Sequence, residues 1–115
     1  MNDDIVEQNK EIISVGELNR SAKYLLENTF NNISVVGEVS NMSRPSSGHI
    51  YFTLKDEDGA IGCAMWRSQA SKLNFNPENG DKCILKGQVS IYPATGRYQL
   101  MVKSVSYTHL RAHET

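Results

Sequence analysis

The sequence has few cysteines, no long apolar run and almost no net charge. Its 115 residues include two cysteines, and the formal net charge is −1. Two cysteines without nearby ligand spacing predict neither a disulfide framework nor a zinc site, so we expect Cys63 and Cys83 to be reduced core thiols of a cytoplasmic protein. No apolar run approaches the length of a membrane span, and the polar N-terminus lacks the pattern of a signal peptide. We therefore expect one domain with its own core and no membrane partner.

Acidic residues are missing from one long stretch. Between Val39 and Lys55 there is no Asp or Glu, although the chain has 13 acidic and 12 basic residues. Residues 1–17 hold five of the acids and one of the bases, which leaves 11 bases against 8 acids in the rest. A surface without negative charge suits a ligand that carries phosphates. The small basic excess is typical of a weak or modular binder.

The hydrophobic pattern predicts a helix and then five strands. Ser14 and Glu17 have the spacing of a capping box, which predicts a helix over about 15–28. Its apolar residues recur at helical spacing and are expected to pack on the domain; they are Leu18, Ala22, Leu25 and Leu26. The period then changes to two, and strands are predicted at about 33–41, 49–56, 60–67, 82–92 and 97–105.

The segments between and beyond these elements are polar. Residues 1–12 are predicted to be a polar leader, and Asp56 to Gly59 a hairpin turn in which Gly59 takes a positive φ. Residues 68–73 favour a short helix and residues 76–81 a turn. Residues 106–115 have neither an apolar period nor a strand pattern, and we interpret them as an atypical tail of foreign origin.

Five short strands interrupted after the third predict a small closed barrel. Gly37 and Gly87 fall in the middle of strands, where a strongly coiled barrel needs backbone without a side chain. The predicted fold class is therefore all-β, a five-stranded OB-fold Greek-key barrel with an N-terminal α-helix. Such barrels bind oligonucleotides on the face of strands 2 and 3 and with the loops that join strands 1–2 and 4–5.

Alternation along the strands separates core from surface. In the second strand Ile50, Phe52 and Leu54 are predicted to face inward. Tyr51 is an aromatic residue on the polar face, and Trp66 is predicted to point outward beside the small Gly62 and Ala64, so that a base could stack on either ring. The candidate contacts are Asn41, Ser43, Arg44, His49, Tyr51, Thr53, Lys55 and Trp66, with Arg67, Lys86, Tyr92 and Arg97 as second-rank candidates. Tyr98 could face either way, since a bulge would invert it.

Four stretches in unbroken order resemble the N-terminal domain of the exodeoxyribonuclease VII large subunit. They are residues 14–20, 37–56, 63–67 and 98–102. The resemblance implies an enzyme that degrades single-stranded DNA from both ends, in which this domain binds DNA, a central domain is the nuclease and a helical C-terminal region recruits small subunits. We therefore expect this chain to bind single-stranded DNA, to need no cofactor and to be inactive alone; Mg²⁺ is an open alternative for the full enzyme.

Two other functions are compatible with the composition. One is a protein-interaction barrel that docks a partner through its amphipathic helix, and the other is an RNA-binding barrel of the anticodon-recognition type. Catalytic and metal sites are not predicted. The acidic cluster Asp56, Glu57 and Asp58 falls in a hairpin turn, where carboxylates are ordinary solvent-facing residues.

Overall fold

One long helix, five strands and a single helical turn make up residues 12–108, which are the residues that the computed structural model describes. In chain order the elements are α1 Val15–Thr29, β1 Ile33–Ser43, β2 Ile50–Lys55, β3 Ala60–Met65, α2 Arg67–Ala70, β4 Lys82–Tyr92 and β5 Arg97–Tyr107. The predicted order of one helix followed by five strands is confirmed.

The five strands close into a barrel in the order β1-β2-β3-β5-β4. Four of the strand pairs are antiparallel, and β3 pairs with β5 in parallel. Every strand contributes to one core, in which Val39, Leu85 and Leu100 are fully buried. The predicted inward face of the second strand is confirmed, because Ile50, Phe52 and Leu54 are all buried.

Two mid-strand glycines permit the close approach of neighbouring strands. A Cβ on Gly37 would lie 2.7 Å from Cγ of Leu54, and a Cβ on Gly87 would overlap the carbonyl oxygen of Met101. The β4–β5 register shifts between Lys86 and Gly87, so the bare backbone sits where the ladder is irregular. The predicted role of both glycines in a tightly coiled barrel is confirmed.

Replacing Gly87 by alanine is expected to destabilise the barrel. The new methyl group would meet the main chain of β5, which cannot move aside as a flexible side chain can. We expect Gly87→Ala to lower the free energy of unfolding by about 1–3 kcal/mol, measured by urea denaturation. Gly59→Ala is the matched control, because a Cβ on Gly59 has nothing within 4 Å. Equal stability of the two variants would contradict a steric role for Gly87.

Helix α1 begins with the predicted capping box. The Glu17 N–H donates to Oγ of Ser14 at 3.0 Å, and the Ser14 N–H donates to Oε1 of Glu17 at 2.8 Å. Two of the four N–H groups that a helix start leaves free are thus satisfied locally. The helix ends at Thr29, one residue beyond the predicted end.

Polar residues attach α1 to the barrel. Asn19 Nδ2 donates to the carbonyl oxygen of Pro93 at 2.9 Å, and Oγ of the buried Ser90 donates to Oε2 of Glu27 at 2.6 Å. Gln88 Nε2 donates to the carbonyl oxygen of Glu27 at 3.2 Å. Leu26 is the apolar residue of α1 that packs against the core. The helix is therefore docked mainly by hydrogen bonds to β4 and to the turn after it.

The predicted packing of the apolar stripe is wrong for two of its four members. Leu18 is 55% exposed and Leu25 is 62% exposed, whereas Ala22 and Leu26 are half-buried. Helical spacing places these residues on neighbouring parts of the helix surface, but the polar anchors turn Asn19, Lys23 and Glu27 toward the barrel instead. The face of the helix is thus set by β4, which the helix sequence alone does not reveal.

Several element boundaries differ from the prediction. β1 continues past the predicted end at residue 41 to Ser43, so Ser43 belongs to a strand; the strand bulges there, with Asn41 at a φ of 53° and a shift of the register with β2 between Ser40 and Ser43. β3 ends at Met65, which leaves Trp66 just beyond it. Gly59 does not have the predicted positive φ. The turn is closed instead by the Asp56 carboxylate, which accepts from the N–H groups of Asp58 and Gly59.

The fifth strand extends past the predicted end at residue 105. Ser106 and Tyr107 pair with Ile84 and Cys83, and the Tyr107 ring lies 4.4 Å from that of Phe75, centroid to centroid. The predicted absence of strand structure from residue 106 onward is therefore wrong for these two residues. The rest of the proposed tail, residues 109–115, and most of the proposed leader lie outside the described residues.

The contact between Glu27 and its partners predicts a dependence of stability on pH. Hydrogen bonds from Lys23 and then from Ser90 lower the pKa of Glu27 below its ordinary value of 4.5. A carboxylate with a lowered folded-state pKa stabilises the fold above its unfolded pKa, and this contribution is lost as the pH falls through the folded value.

We therefore expect the stability advantage of the wild type over Glu27→Gln, measured by urea denaturation, to be present near neutral pH and to shrink below a pH of about 4.5. Glu57→Gln is the control, because Glu57 is exposed in the β2–β3 turn and makes no side-chain hydrogen bond among residues 12–108. A constant difference between wild type and Glu27→Gln across this range would show that the charge of Glu27 is unimportant.

Candidate nucleic-acid interface

Three aromatic side chains meet on the outside of β2 and β3, and we call them the aromatic cluster: His49, Tyr51 and Trp66. The ring centroids of His49 and Trp66 are 5.1 Å apart, and those of Tyr51 and Trp66 are 6.3 Å apart. All three pairs are edge-to-face, with interplanar angles of 73–81°. Trp66 remains 45% exposed and Tyr51 39% exposed, so both rings can still receive a flat ligand.

His49 fixes the position of the segment that carries Trp66. Its Nδ1 accepts a hydrogen bond from the N–H of Arg67 at 2.8 Å. Because a backbone N–H can only donate, the neutral imidazole carries its own proton on Nε2. Gly48, at a φ of 93°, lies directly against the aliphatic part of Arg67. His49 therefore holds the β3–α2 junction against the first loop, a role that the sequence did not indicate.

Strand pairing arranges the outward residues of four strands in rows. Because residues directly opposite in a sheet point to the same face, each row forms one band of the outer surface. The first row contains Tyr51, Ala64, Met101 and Gln88. The second row contains Thr53, Gly62, Gln99 and Ser90. The predicted face on β2 and β3 thus continues onto β5, and α1 covers it at Gln88 and Ser90 of β4.

The space predicted beside Trp66 is present at only one of two small residues. Ala64 lies on the outer face between Tyr51 and Met101, yet it is only 3% exposed. Gly62 is exposed, and a Cβ placed on it would meet nothing within 4 Å. The opening on this face is therefore above Gly62.

The arginines and lysines of the predicted site have different surroundings. Arg44 donates to the carbonyl oxygen of Pro77, and it lines one cleft of about 360 Å³ together with Arg67, beside the aromatic cluster. Lys55 is directly opposite Glu38 and shares a cleft with Asp56, Glu57 and Asp58, so several acidic residues lie near it. The two arginines are therefore better placed than Lys55 to meet a phosphate.

Of the remaining predicted residues, some lie near the rows or the cleft of Trp66 and one lies away from them. Ser43 pairs with Tyr51 at the edge of the first row, and Arg97 pairs with Tyr92 near the hairpin between β4 and β5. Tyr92 and Trp66 line the same cleft, of about 420 Å³. Lys86 pairs with Ser34 and Ser104, away from every other predicted contact, so the structure does not bring it into this face. Tyr98 lies at the open end of the barrel, where it lines a cleft with Leu54 and Leu100 and stays 51% exposed.

Residues 13–106 match the family described as the OB-fold nucleic acid binding domain. The chain belongs to this family. A closed five-stranded barrel with an exposed aromatic cluster on the outside of β2 and β3 is the arrangement expected for such a domain. Its binding of nucleic acid follows from membership in this family.

This OB-fold domain is also similar to part of several longer proteins. It is 52% identical over 94 residues to the exodeoxyribonuclease 7 large subunit of Campylobacter hominis, covering 81% of this chain and 24% of that protein. It is 43% identical over 94 residues to the protein of the same name from Pectobacterium atrosepticum, covering 82% of this chain and 20% of that one. The chain thus spans about a quarter or less of the relatives it matches.

Solved structures with a similar fold have little sequence in common with the domain. A replication protein A heterotrimer bound to ssDNA superposes with a TM-score of 0.54 at 18% identity, covering 67% of this chain and 57% of that one. Asparaginyl-tRNA synthetase from Pyrococcus horikoshii superposes with a TM-score of 0.53 at 16% identity, covering 68% of this chain and 20% of that one. Both comparisons support the barrel fold alone.

Sequence reasoning missed the part of the OB-fold surface that lies on β5. Gln99, Met101 and Lys103 line the cleft that also contains Trp66 and Tyr92. Inward Leu100 and Val102 implied that Gln99 and Met101 face outward. However, nothing in the local pattern indicated that β5 is the neighbour of β3. β5 lies beside β3 because these two strands pair in parallel and so close the barrel.

Three further observations concern metal ligands, thiols and membrane-spanning helices among the described residues. Among residues 12–108 no group of three or more His, Cys, Asp or Glu could hold a metal ion. Burial raises the pKa of Cys63 to about 12, so this thiol is not an activated nucleophile. Within the same range, no helix has the length and apolar character needed to span a membrane.

The hydrogen bond between His49 and Arg67 predicts a local effect of substituting His49. We expect His49→Ala to shift the emission of Trp66, the single tryptophan, to longer wavelength and to increase its quenching by acrylamide. Loss of one hydrogen bond should cost about 0.5–1.5 kcal/mol of stability, which leaves the barrel folded. Lys72→Ala is the control on the neighbouring segment. An unchanged Trp66 spectrum in His49→Ala would show that His49 does not position this ring.

Proposed function

We propose that this domain binds single-stranded DNA with little sequence preference, by stacking bases on Tyr51 and Trp66. The observation that carries the proposal is the aromatic cluster, whose two large rings stay exposed while their edges are fixed against one another. Stacking on an aromatic ring contributes about 1–3 kcal/mol per base and tolerates any base, because every base has a π-face. Rings already held in place lose little freedom when a base arrives.

Arginine side chains at both ends of the cluster supply the phosphate contacts. Arg44 and Arg67 line the cleft on one side, and Arg97 is exposed toward the hairpin between β4 and β5. Glu38 and the acidic turn after Lys55 lie beside the second strand and disfavour a phosphate backbone there. The bound DNA strand is therefore directed across β2 and β3 rather than along them.

The choice of DNA and the wider role are supported by the relatives. Proteins named exodeoxyribonuclease 7 large subunit are 42–52% identical to this domain. We infer that the domain presents single-stranded DNA to a nuclease domain outside this chain, in a cytoplasmic enzyme that also has small subunits. By itself it needs no cofactor to bind and hydrolyses nothing. The buried thiols of Cys63 and Cys83 are compatible with a reducing compartment.

A second candidate function, the docking of a partner protein, is favoured by the exposed side of α1. Val15, Leu18 and Leu25 are large apolar residues that the barrel does not cover. Such a surface is typical of protein-interaction sites. Leu25→Asp separates the two functions, because it should leave DNA affinity unchanged if the aromatic cluster binds the nucleic acid.

A titration with three nucleic acids tests the proposed ligand. Trp66 fluorescence is followed while oligo-dT, oligo-rU or duplex DNA is added at two salt concentrations, with EDTA present. We expect quenching by oligo-dT that weakens with salt, with a slope of log affinity against log salt of about −2 for three phosphate contacts. Stronger binding of oligo-rU would indicate an RNA ligand. No response to any of the three from folded protein would refute nucleic-acid binding by this face.

Substituting Tyr51 tests the interface itself. We expect Tyr51→Ala to weaken oligo-dT binding roughly 10-fold, the equivalent of one lost stacking contact. Tyr24→Ala is the matched control, because Tyr24 is an exposed tyrosine on α1 outside the rows described above. Equal affinity of the two variants would place the binding site elsewhere. A nuclease assay on the wild-type sample should be blank, and Mg²⁺-dependent cutting would overturn the assignment of catalysis to another domain.

A further inference from the structure

The outer face of the barrel has an opening at Gly62. This residue is the β3 member of the second row, between Thr53 of β2 and Gln99 of β5. It is exposed, and a Cβ built on it would meet nothing within 4 Å. Gly37 and Gly87, in contrast, are kept free of side chains by close packing. The space over Gly62 is therefore not needed to close the barrel.

The opening lies next to the aromatic cluster. Two residues along a strand advance it by about 6.8 Å, so the second row lies one such step from Tyr51 and Ala64. Ala64 is covered by its neighbours, so the first row has no comparable space, and Gln99 beside Gly62 lines the cleft that also contains Trp66. A flat ring that enters it would rest on main chain and on the side of the cluster.

The Gln99 side chain, on the β5 side of the opening, is unengaged. Ser90 donates to Glu27, and the Nε2 of Gln88 donates to Glu27 and Asn31, so both are used in docking α1. Gln99 is half-buried in the cleft with Trp66 and makes no hydrogen bond among residues 12–108. Its amide has both donors and an acceptor, the combination that reads the edge of a base.

We propose that Gly62 and Gln99 form a base-binding subsite for single-stranded nucleic acid. One base lies over the main chain of Gly62 beside Trp66, and its polar edge meets the Gln99 amide. The subsite rests on the proposed function and adds to it, since it extends the contact surface from β3 to β5. It also introduces a modest base preference into an interface that otherwise stacks any base.

A steric block tests the subsite. Gly62→Leu fills the opening without a clash at Cβ, and Gly59→Leu is the matched control, because Gly59 also has nothing within 4 Å of its Cβ and lies in the β2–β3 turn. Binding of oligo-dT by the full chain is measured by anisotropy of labelled DNA, and folding by circular dichroism. We expect at least a roughly 10-fold loss for Gly62→Leu, the size of one stacking contact, and less than about 2-fold for Gly59→Leu. Gly62→Ala should give a smaller loss and serves if Gly62→Leu does not fold.

Gln99→Leu tests the reading of the base edge. The substitution keeps the approximate size of the side chain and removes all of its hydrogen-bonding groups. We expect the ratios of affinity among oligo-dT, oligo-dC and oligo-dA to move toward one in this variant. Thr53→Val removes the hydroxyl on the other side of Gly62, and a larger change of the ratios in this variant than in Gln99→Leu would contradict the assignment of Gln99.

The outcomes separate the subsite from the function it rests on. If wild type binds oligo-dT and Gly62→Leu binds equally well, the subsite is wrong and the proposed function stands. If Gly62→Leu weakens binding but Gln99→Leu leaves all three ratios unchanged, the assignment of Gln99 is wrong. If folded wild type binds no nucleic acid, both proposals fail together.

Discussion

The parallel pairing of β3 with β5 is the contact on which the rest of the structure depends. It closes the barrel through three residue pairs, Gly62 with Gln99, Cys63 with Leu100 and Ala64 with Met101. The middle pair points inward and is buried. The outer two pairs point outward and join the surface of β2 and β3 to that of β5. One set of backbone hydrogen bonds therefore completes the core and creates the continuous face on which a ligand could lie.

The connection that permits this pairing also positions the key aromatic ring. The chain must return before β5 can pair in parallel with β3; β4 is the returning strand, and the connection to it begins at Trp66. The carbonyl oxygen of Trp66 accepts from the N–H groups of Gln69 and Ala70, which turns the chain away from the sheet. His49 then binds the next N–H from the opposite side. Closure of the barrel and exposure of Trp66 are thus results of the same turn.

Features set by local chemistry were predictable from the sequence. Alternation correctly sorted Ile50, Phe52 and Leu54 from Tyr51, because one face of β2 is buried and a two-residue period leaves no freedom in register. The capping box of Ser14 and Glu17 was equally local, since it involves residues three apart. The glycines of the coiled strands were recognisable because glycine weakens the interior of a strand and is typical there of a sharp bend or a close backbone approach.

Features that depend on a distant partner were not predictable in the same way. The orientation of α1 follows from Pro93 and Ser90, more than 60 residues further along the chain, so the apolar spacing of Leu18 and Leu25 pointed to the wrong face. The surroundings of Lys55 depend on Glu38 of the neighbouring strand β1, and Glu38 lies just outside the acid-free stretch of the sequence. That stretch is continuous in sequence, but folding brings acids to one end of it and arginines to the other. The direction that we propose for a bound DNA strand therefore rests on the folded surface, and the positive charge of the segment alone does not determine it.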